Sequence, residues 1–227
     1  MNIALFGGTF DPIHTGHLRA AKAAARRFAL DRVLFVPSAH PPHKQADKLT
    51  AFAHRYAMVA LACAADRRFA PSLLEAPTPD AEPQYTIQTV RRARRTLGPR
   101  DRLFFLIGVD AFLDLPHWKR ASNLLDLADF IVVSRPGSDA GKIWSVLPPG
   151  MARPAPGARS QGLGSSNEIR LRKSTIRILR GVDMRVASRD IRQAAKAGRP
   201  IGGLVPAIVE EYIRKTGLYV KGGRAGL

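Results

Sequence analysis

Phe6-Gly7-Gly8-Thr9-Phe10-Asp11-Pro12-Ile13-His14-Thr15-Gly16-His17-Leu18 joins two segments of different hydrophobic period. Before it, residues 3–6 are a short apolar run of the kind that forms a buried strand. After it, Leu18, Ala21, Ala25 and Phe28 recur at helical spacing and predict a helix over about residues 15–29. Between the two lie a glycine pair and two histidines three residues apart. A strand passing through a Gly-containing turn into a helix makes an anion site, because the first N–H groups of the helix have no intrahelical acceptor and its dipole favours negative charge. Two imidazoles at that mouth point to chemistry on a phosphate in addition to binding of one.

Outward from this stretch, residues 33–36 form a second apolar strand closed by Pro37. With the helix between them the two strands make a βαβ unit, hence a parallel pair. Residues 103–109 and 130–133 read as further buried strands, and 69–74 and 177–182 as weaker ones. Helices are predicted from Thr50, as cap, to about residue 65 through Tyr56, Val59, Ala60 and Cys63. Others follow over residues 86–97, from Ser188 to about residue 197, and on a last face formed by Val205, Ile208, Val209, Tyr212 and Ile213 after Pro206. The alternation predicts an α/β fold. It is a doubly wound, Rossmann-like, mostly parallel sheet with helices on both faces, in one domain over residues 1–219. Residues 137–174, rich in Pro and Gly, read as a loop-rich insertion, and 220–227 as a disordered tail. In such a sheet ligands bind at the C-terminal ends of the strands.

The composition fits this reading. With 227 residues, 45% of them hydrophobic, the chain can bury a full core. It has no apolar run of membrane-spanning length and no basic region ahead of its first apolar run, so a cytoplasmic protein without a membrane partner is expected. The single cysteine, Cys63, sits in an apolar segment and is read as packed. Lys and Arg number 36 against 18 Asp and Glu, a net charge of +18. The arginines are dispersed and accompany no nucleic-acid-binding motif, so the charge favours an enzyme for anionic nucleotides over a nucleic-acid binder. Nothing in the sequence sets an oligomeric state.

Several segments carry candidate chemistry, each with a plainer alternative. His14 and His17 share one face of a helix start and can meet one group. A metal is the rival, because His40 and His43 repeat the spacing, but zinc usually wants a carboxylate or thiolate as well. The upstream glycines favour phosphate, and no metal site is assigned. Pro41-Pro42-His43-Lys44 is a proline-braced loop presenting His43 and Lys44 near the same sheet edge, or else a solvated loop. Tyr85-Thr86-Ile87 opens a helix whose free N–H groups can receive a carboxylate, or is an ordinary cap. Gly108 permits close approach of a ligand and Asp110 can accept ribose hydroxyls. Trp118 offers an aromatic plane or simple packing. Ser188 caps a helix to which Arg192 adds a fork of donors, a second phosphate site or a plain surface helix.

Residues 8–18 resemble the signature of the HxGH nucleotidyltransferase superfamily, and with Gly7-Gly8 and Ile13-His14 the stretch is similar to the bacterial nicotinate-nucleotide adenylyltransferases. The resemblance covers about residues 1–136 and 176–219. It implies adenylyl transfer from ATP to nicotinate mononucleotide, giving nicotinate adenine dinucleotide and pyrophosphate in NAD biosynthesis, with Mg2+ carried on the triphosphate. It also implies that Gly7, Gly8, Thr9, Phe10, Gly16, His43, Gly108, Asp110, Ser188 and Arg189 belong to the ATP site. Tyr85, Thr86 and Trp118 would hold the mononucleotide, while His14, His17, Lys44 and Arg192 would stabilise the phosphates in reaction. Residues 186–192 depart from the family's ISSTxIR pattern, with Ala187 for its first serine and Arg189 for its threonine. Nicotinamide mononucleotide or phosphopantetheine as acceptor, cytidylyl transfer, and nucleic-acid binding on a nucleotide-binding fold stay open as alternatives.

Overall fold

The computed structural model describes residues 1–41, 49–78, 83–134, 140–152, 167–182 and 185–220. Strands β1 (Asn2–Gly8), β2 (Arg32–Pro37), β3 (Phe69–Pro71), β4 (Arg102–Gly108), β5 (Asp129–Val133), β6 (Glu168–Arg170) and β7 (Thr175–Leu179) make one sheet in the order β3-β2-β1-β4-β5-β7-β6. Every pairing is parallel except β6 with β7. The helices are α1 (Thr15–Arg27), α2 (Phe52–Cys63), α3 (Thr86–Arg95), α4 (Val109–Leu113), α5 (Ala121–Leu125), α6 (Ser188–Lys196) and α7 (Ala207–Thr216). This is the doubly wound α/β sheet that the alternating pattern predicts.

Both faces are covered because alternate residues of each central strand point to opposite sides. Ala4, Phe6, Phe35, Phe104, Leu106 and Ile131 pack against α1, α2, α6 and α7. Leu5, Leu103, Phe105, Ile107, Phe130 and Val132 pack against α3, α4 and α5. The chain order reverses between β1 and β4. The loops leaving these two strands therefore open toward each other at the C-terminal edge, where a doubly wound sheet holds its ligand. Among the described residues no helix is long and apolar enough to cross a membrane.

Several local expectations are corrected. β3, an edge strand, stops at Pro71, three residues short of the expected end, although the Ser72 N–H still donates to Phe35 O at 2.8 Å. The final parallel strand starts at Thr175, and the stretch expected to be loop contributes both a 3-10 segment, Ala140–Val146, and the antiparallel strand β6. Residues 137–139 and 153–166 of that stretch, and residues 221–227 of the expected tail, lie outside the described residues. Thr50 does not cap α2. Its N-cap is Ala51, without a side-chain bond, and the Thr50 N–H donates instead to Asp11 Oδ2 at 3.2 Å. The buried stripe of α2 is Arg55, Met58, Val59, Ala62 and Cys63, so Tyr56 and Ala60 are not its centre. Ile208 is 51% exposed and leaves the core of α7 to Val209 and Ile213.

Candidate functional site

The loop from β1 to α1 is shaped by its own side chains. A Cβ on Gly8 would lie 3.2 Å from the Phe10 ring, and Phe10 itself turns the chain at φ 46°. His14 is the N-cap of α1 in extended backbone, and its Nδ1 accepts from the N–H of His17 at 3.3 Å. In return the His14 N–H donates to Nδ1 of His17, also at 3.3 Å. The two histidines form a reciprocal capping box of the kind usually built from Ser or Thr with Glu or Gln. Their rings stack with centroids 3.6 Å apart, and the edges of Phe6 and Phe10 hold His17. Because both Nδ1 atoms act as acceptors, each neutral ring carries its proton on Nε2. The capping box thus fixes two imidazoles as parallel Nε2–H donors without requiring either to be charged. Gly16 is buried in the first turn of α1.

The C-terminal third of the chain grips this loop. Thr15 donates through its N–H to Leu204 O at 2.9 Å, and its hydroxyl adds a 3.0 Å bond to the same oxygen. Ser188 Oγ donates to Pro12 O at 2.9 Å, Arg192 Nη1 to Asp11 O at 2.6 Å, and Tyr219 OH to Asp11 Oδ1 at 2.6 Å. Ser188 is therefore not the cap of α6. That position is Ala187, with no side-chain bond, because the Ser188 hydroxyl is spent on the loop. Arg192 stands beside the loop, and one of its nitrogens serves the loop carbonyl. The Arg189 side chain is 77% exposed, with Nε 3.6 Å from Asp190 Oδ1.

A cavity of about 280 Å3 opens on the face of the sheet that carries α3, α4 and α5, walled in part by Ile87, Phe105, Ile107 and Leu124. Gly7, Gly8 and Thr9 line it together with Tyr85, Thr86 and Trp118, so the loop and the predicted mononucleotide residues meet there. Trp118 stands edge-on to Phe105 at 6.3 Å, and the Lys119 ammonium lies 4.1 Å over the Tyr85 ring. The Tyr85 N–H is taken by Gln88 Oε1 at 3.1 Å, so of the expected N–H groups at the start of α3 this one is already bonded. Gly108 is the N-cap of α4, and a Cβ there would meet nothing within 4 Å. Asp110 is exposed in the first turn of α4 and does not line the cavity. His43 and Lys44 lie outside the described residues. Among the described residues no three His, Cys, Asp or Glu side chains gather as a metal site would require.

Beneath the site lie charged groups that sequence reasoning missed. Arg55 is 1% exposed and donates Nε to Thr50 O at 2.7 Å and Nη1 to both Thr9 O and Ser38 O at 2.8 Å. Burial lowers its pKa, opposed by the nearby Asp11 carboxylate. A signal was present, since Arg55 stands in the i, i+3, i+4 stripe of Met58 and Val59, where an unpaired charge is too costly to bury without a purpose. Glu75, also buried at the cavity, accepts from Thr89 Oγ1 at 2.5 Å. Burial raises its pKa against the hydroxyls of Thr89 and Ser38. Tyr219 has its pKa raised by burial and by Asp11.

Comparison with known proteins gives the family and the fold. A family model described as cytidylyltransferase-like matches residues 5–194. A "Probable nicotinate-nucleotide adenylyltransferase" of Thermoanaerobacter sp. is 36% identical over 229 residues, covering 100% of this chain and 98% of the relative. A protein of the same name from Thermus thermophilus is 40% identical over 96% of this chain and all of its own length. One from Solibacter usitatus is 50% identical over 137 residues, 60% of this chain and 71% of the relative. Among solved structures, the Plasmodium falciparum nicotinic acid mononucleotide adenylyltransferase complexed with NaAD superposes with a TM-score of 0.71 at 18% identity. That alignment covers 96% of this chain and 97% of the other, and shows a shared fold.

Proposed function

Since the chain belongs to the nicotinate-nucleotide adenylyltransferases of the cytidylyltransferase-like family, we propose that it joins ATP and nicotinate mononucleotide into nicotinate adenine dinucleotide, releasing pyrophosphate, in the cytoplasmic synthesis of NAD. The observation that supports the reading is the histidine capping box, two stacked imidazoles whose Nδ1 atoms both accept backbone N–H groups at the start of α1.

A phosphate oxygen of the mononucleotide attacks the α-phosphorus of ATP, a new P–O bond forms, and the bond to the bridging oxygen of the β-phosphate breaks. The attacking oxygen is already anionic, so no general base is needed, and catalysis falls to positioning and charge stabilisation. His14 and His17 donate to the α-phosphate oxygens, Lys44 and Arg192 steady the leaving pyrophosphate, and His43, Ser188 and Arg189 belong to the same end. The nucleotide lies over Gly7, Gly8, Thr9, Phe10 and Gly16, with its ribose at Gly108 and Asp110. In the cavity Trp118 faces the pyridine ring and its carboxylate meets the N–H groups of Thr86 and Ile87, beside Tyr85. With no three-ligand cluster among the described residues, Mg2+ would be held by phosphate oxygens and water, where it offsets the triphosphate charge.

The test is product analysis with ATP and each of three acceptors: nicotinate mononucleotide, nicotinamide mononucleotide and phosphopantetheine. Nicotinate adenine dinucleotide should form fastest. Equal rates with the two pyridine nucleotides would remove the acid preference, and turnover of phosphopantetheine alone would overturn the reading.

A further inference from the structure

The buried polar side chains form a line. Thr89, in α3, donates to the Glu75 carboxylate, and Ser38 hydrogen-bonds the same group. The Ser38 carbonyl accepts from Arg55, which also holds Thr9 O and Thr50 O. The Thr50 N–H then donates to Asp11, whose other carboxylate oxygen takes the Tyr219 hydroxyl. Glu75, Ser38 and Thr9 line the acceptor cavity, whereas Asp11 belongs to the loop that leads into His14. Arg55 bonds both to Thr9 O, in the loop that continues through Asp11 to His14, and to Ser38 O in the cavity wall. It is too deeply buried to touch a substrate. In sequence, Ser38 and Thr50 also flank the segment carrying His43 and Lys44.

We infer that Arg55 is a positioning residue for adenylyl transfer, a planar three-bond strut that fixes the wall of the acceptor cavity relative to the phosphate loop. The physical requirement is clear. In-line attack needs the acceptor's phosphate and the α-phosphorus at near-contact distance, while each substrate is held by different residues. A displacement of about 1 Å between two such sites costs roughly 100-fold in rate. A guanidinium fork that joins Thr9 O of the loop to Ser38 O of the cavity wall, with Thr50 O ahead of α2 as its third acceptor, sets that spacing. Loss of the guanidinium would also leave three carbonyls without their donor, so the test has to separate an effect on kcat from one on folding.

The inference builds on the adenylyl-transfer reading, and wild-type turnover of ATP with nicotinate mononucleotide is the control that separates the two. If wild type makes no product, the reaction has been misread. If wild type is active, Arg55→Lys and Arg55→Met decide the matter, assayed well below each variant's own unfolding midpoint. Lysine keeps the charge but cannot span three carbonyls as the fork does, and methionine keeps only the length. In both, kcat should fall ~10- to 100-fold while KM for each substrate stays within ~3-fold, because each substrate's own contacts are intact. Unchanged kcat in either folded variant overturns the proposal. So does a loss confined to KM. Failure of Arg55→Lys to fold also overturns it, because Arg55 would then be a folding residue.

Discussion

Tyr219→Phe removes one oxygen atom and leaves the ring in place. That oxygen donates at 2.6 Å to Asp11 Oδ1, and Asp11 is 1% exposed, so the bond is charge-assisted and shielded from water. A hydrogen bond to a buried charged group contributes ~1.5–3 kcal/mol, and no cavity forms to add to the loss. For a domain of this size each kcal/mol moves the thermal midpoint by ~2–4 °C, which predicts a fall of roughly 3–12 °C at neutral pH. The pH dependence follows from the same bond. Burial and the adjacent Asp11 keep the phenol protonated in the folded protein above its ordinary pKa of 10.0. The unfolded chain releases that proton near pH 10 and the folded chain does not, so wild-type stability falls as pH rises past ~10. The variant lacks this term, and the gap between the two proteins should narrow above pH 10. Thermal unfolding at neutral pH and across an alkaline series measures both effects. A neutral-pH midpoint within a degree of wild type would refute the reasoning, because the grip of the C-terminal segment on the loop would then contribute nothing.

Three further outcomes are expected. His17→Ala should lose at least ~100-fold in kcat, as for removal of one transition-state donor, and only ~1 kcal/mol of stability from half a capping box. Near-normal turnover would take His17 out of the chemistry. Trp118→Ala should raise KM for the mononucleotide and leave KM for ATP nearly unchanged, since Trp118 lines the acceptor cavity. A matched rise in both would show that it supports the fold instead. Cys63 is 4% exposed and burial pushes its thiol up to about 12. At pH 8 the folded protein should react with a thiol reagent only as fast as it unfolds, and rapid labelling without denaturant would contradict that placement.

Much of this protein is written in local spacing. The apolar runs of β1, β2, β4 and β5, the helical recurrence after Leu18 and the glycines before His14 lie within single elements, where period and steric rules act between near neighbours. They were sufficient to predict a doubly wound sheet with its site beyond the C-terminal edge. Tyr85, Thr86 and Trp118 are singled out through the family resemblance, since by spacing alone they could be an ordinary helix cap and a packing residue, and the fold brings all three to one cavity. The sequence does not encode in the same way which side chains hold the loop. Ser188, Arg192 and Tyr219 reach Pro12 and Asp11 across separations of 176, 181 and 208 residues. A hydroxyl that could cap its own helix is indistinguishable, by spacing, from one that bonds to another segment. Arg55 shows both sides of this division. Its place on an apolar stripe marks it as buried, but only the packed structure supplies the three carbonyls that make its burial tolerable.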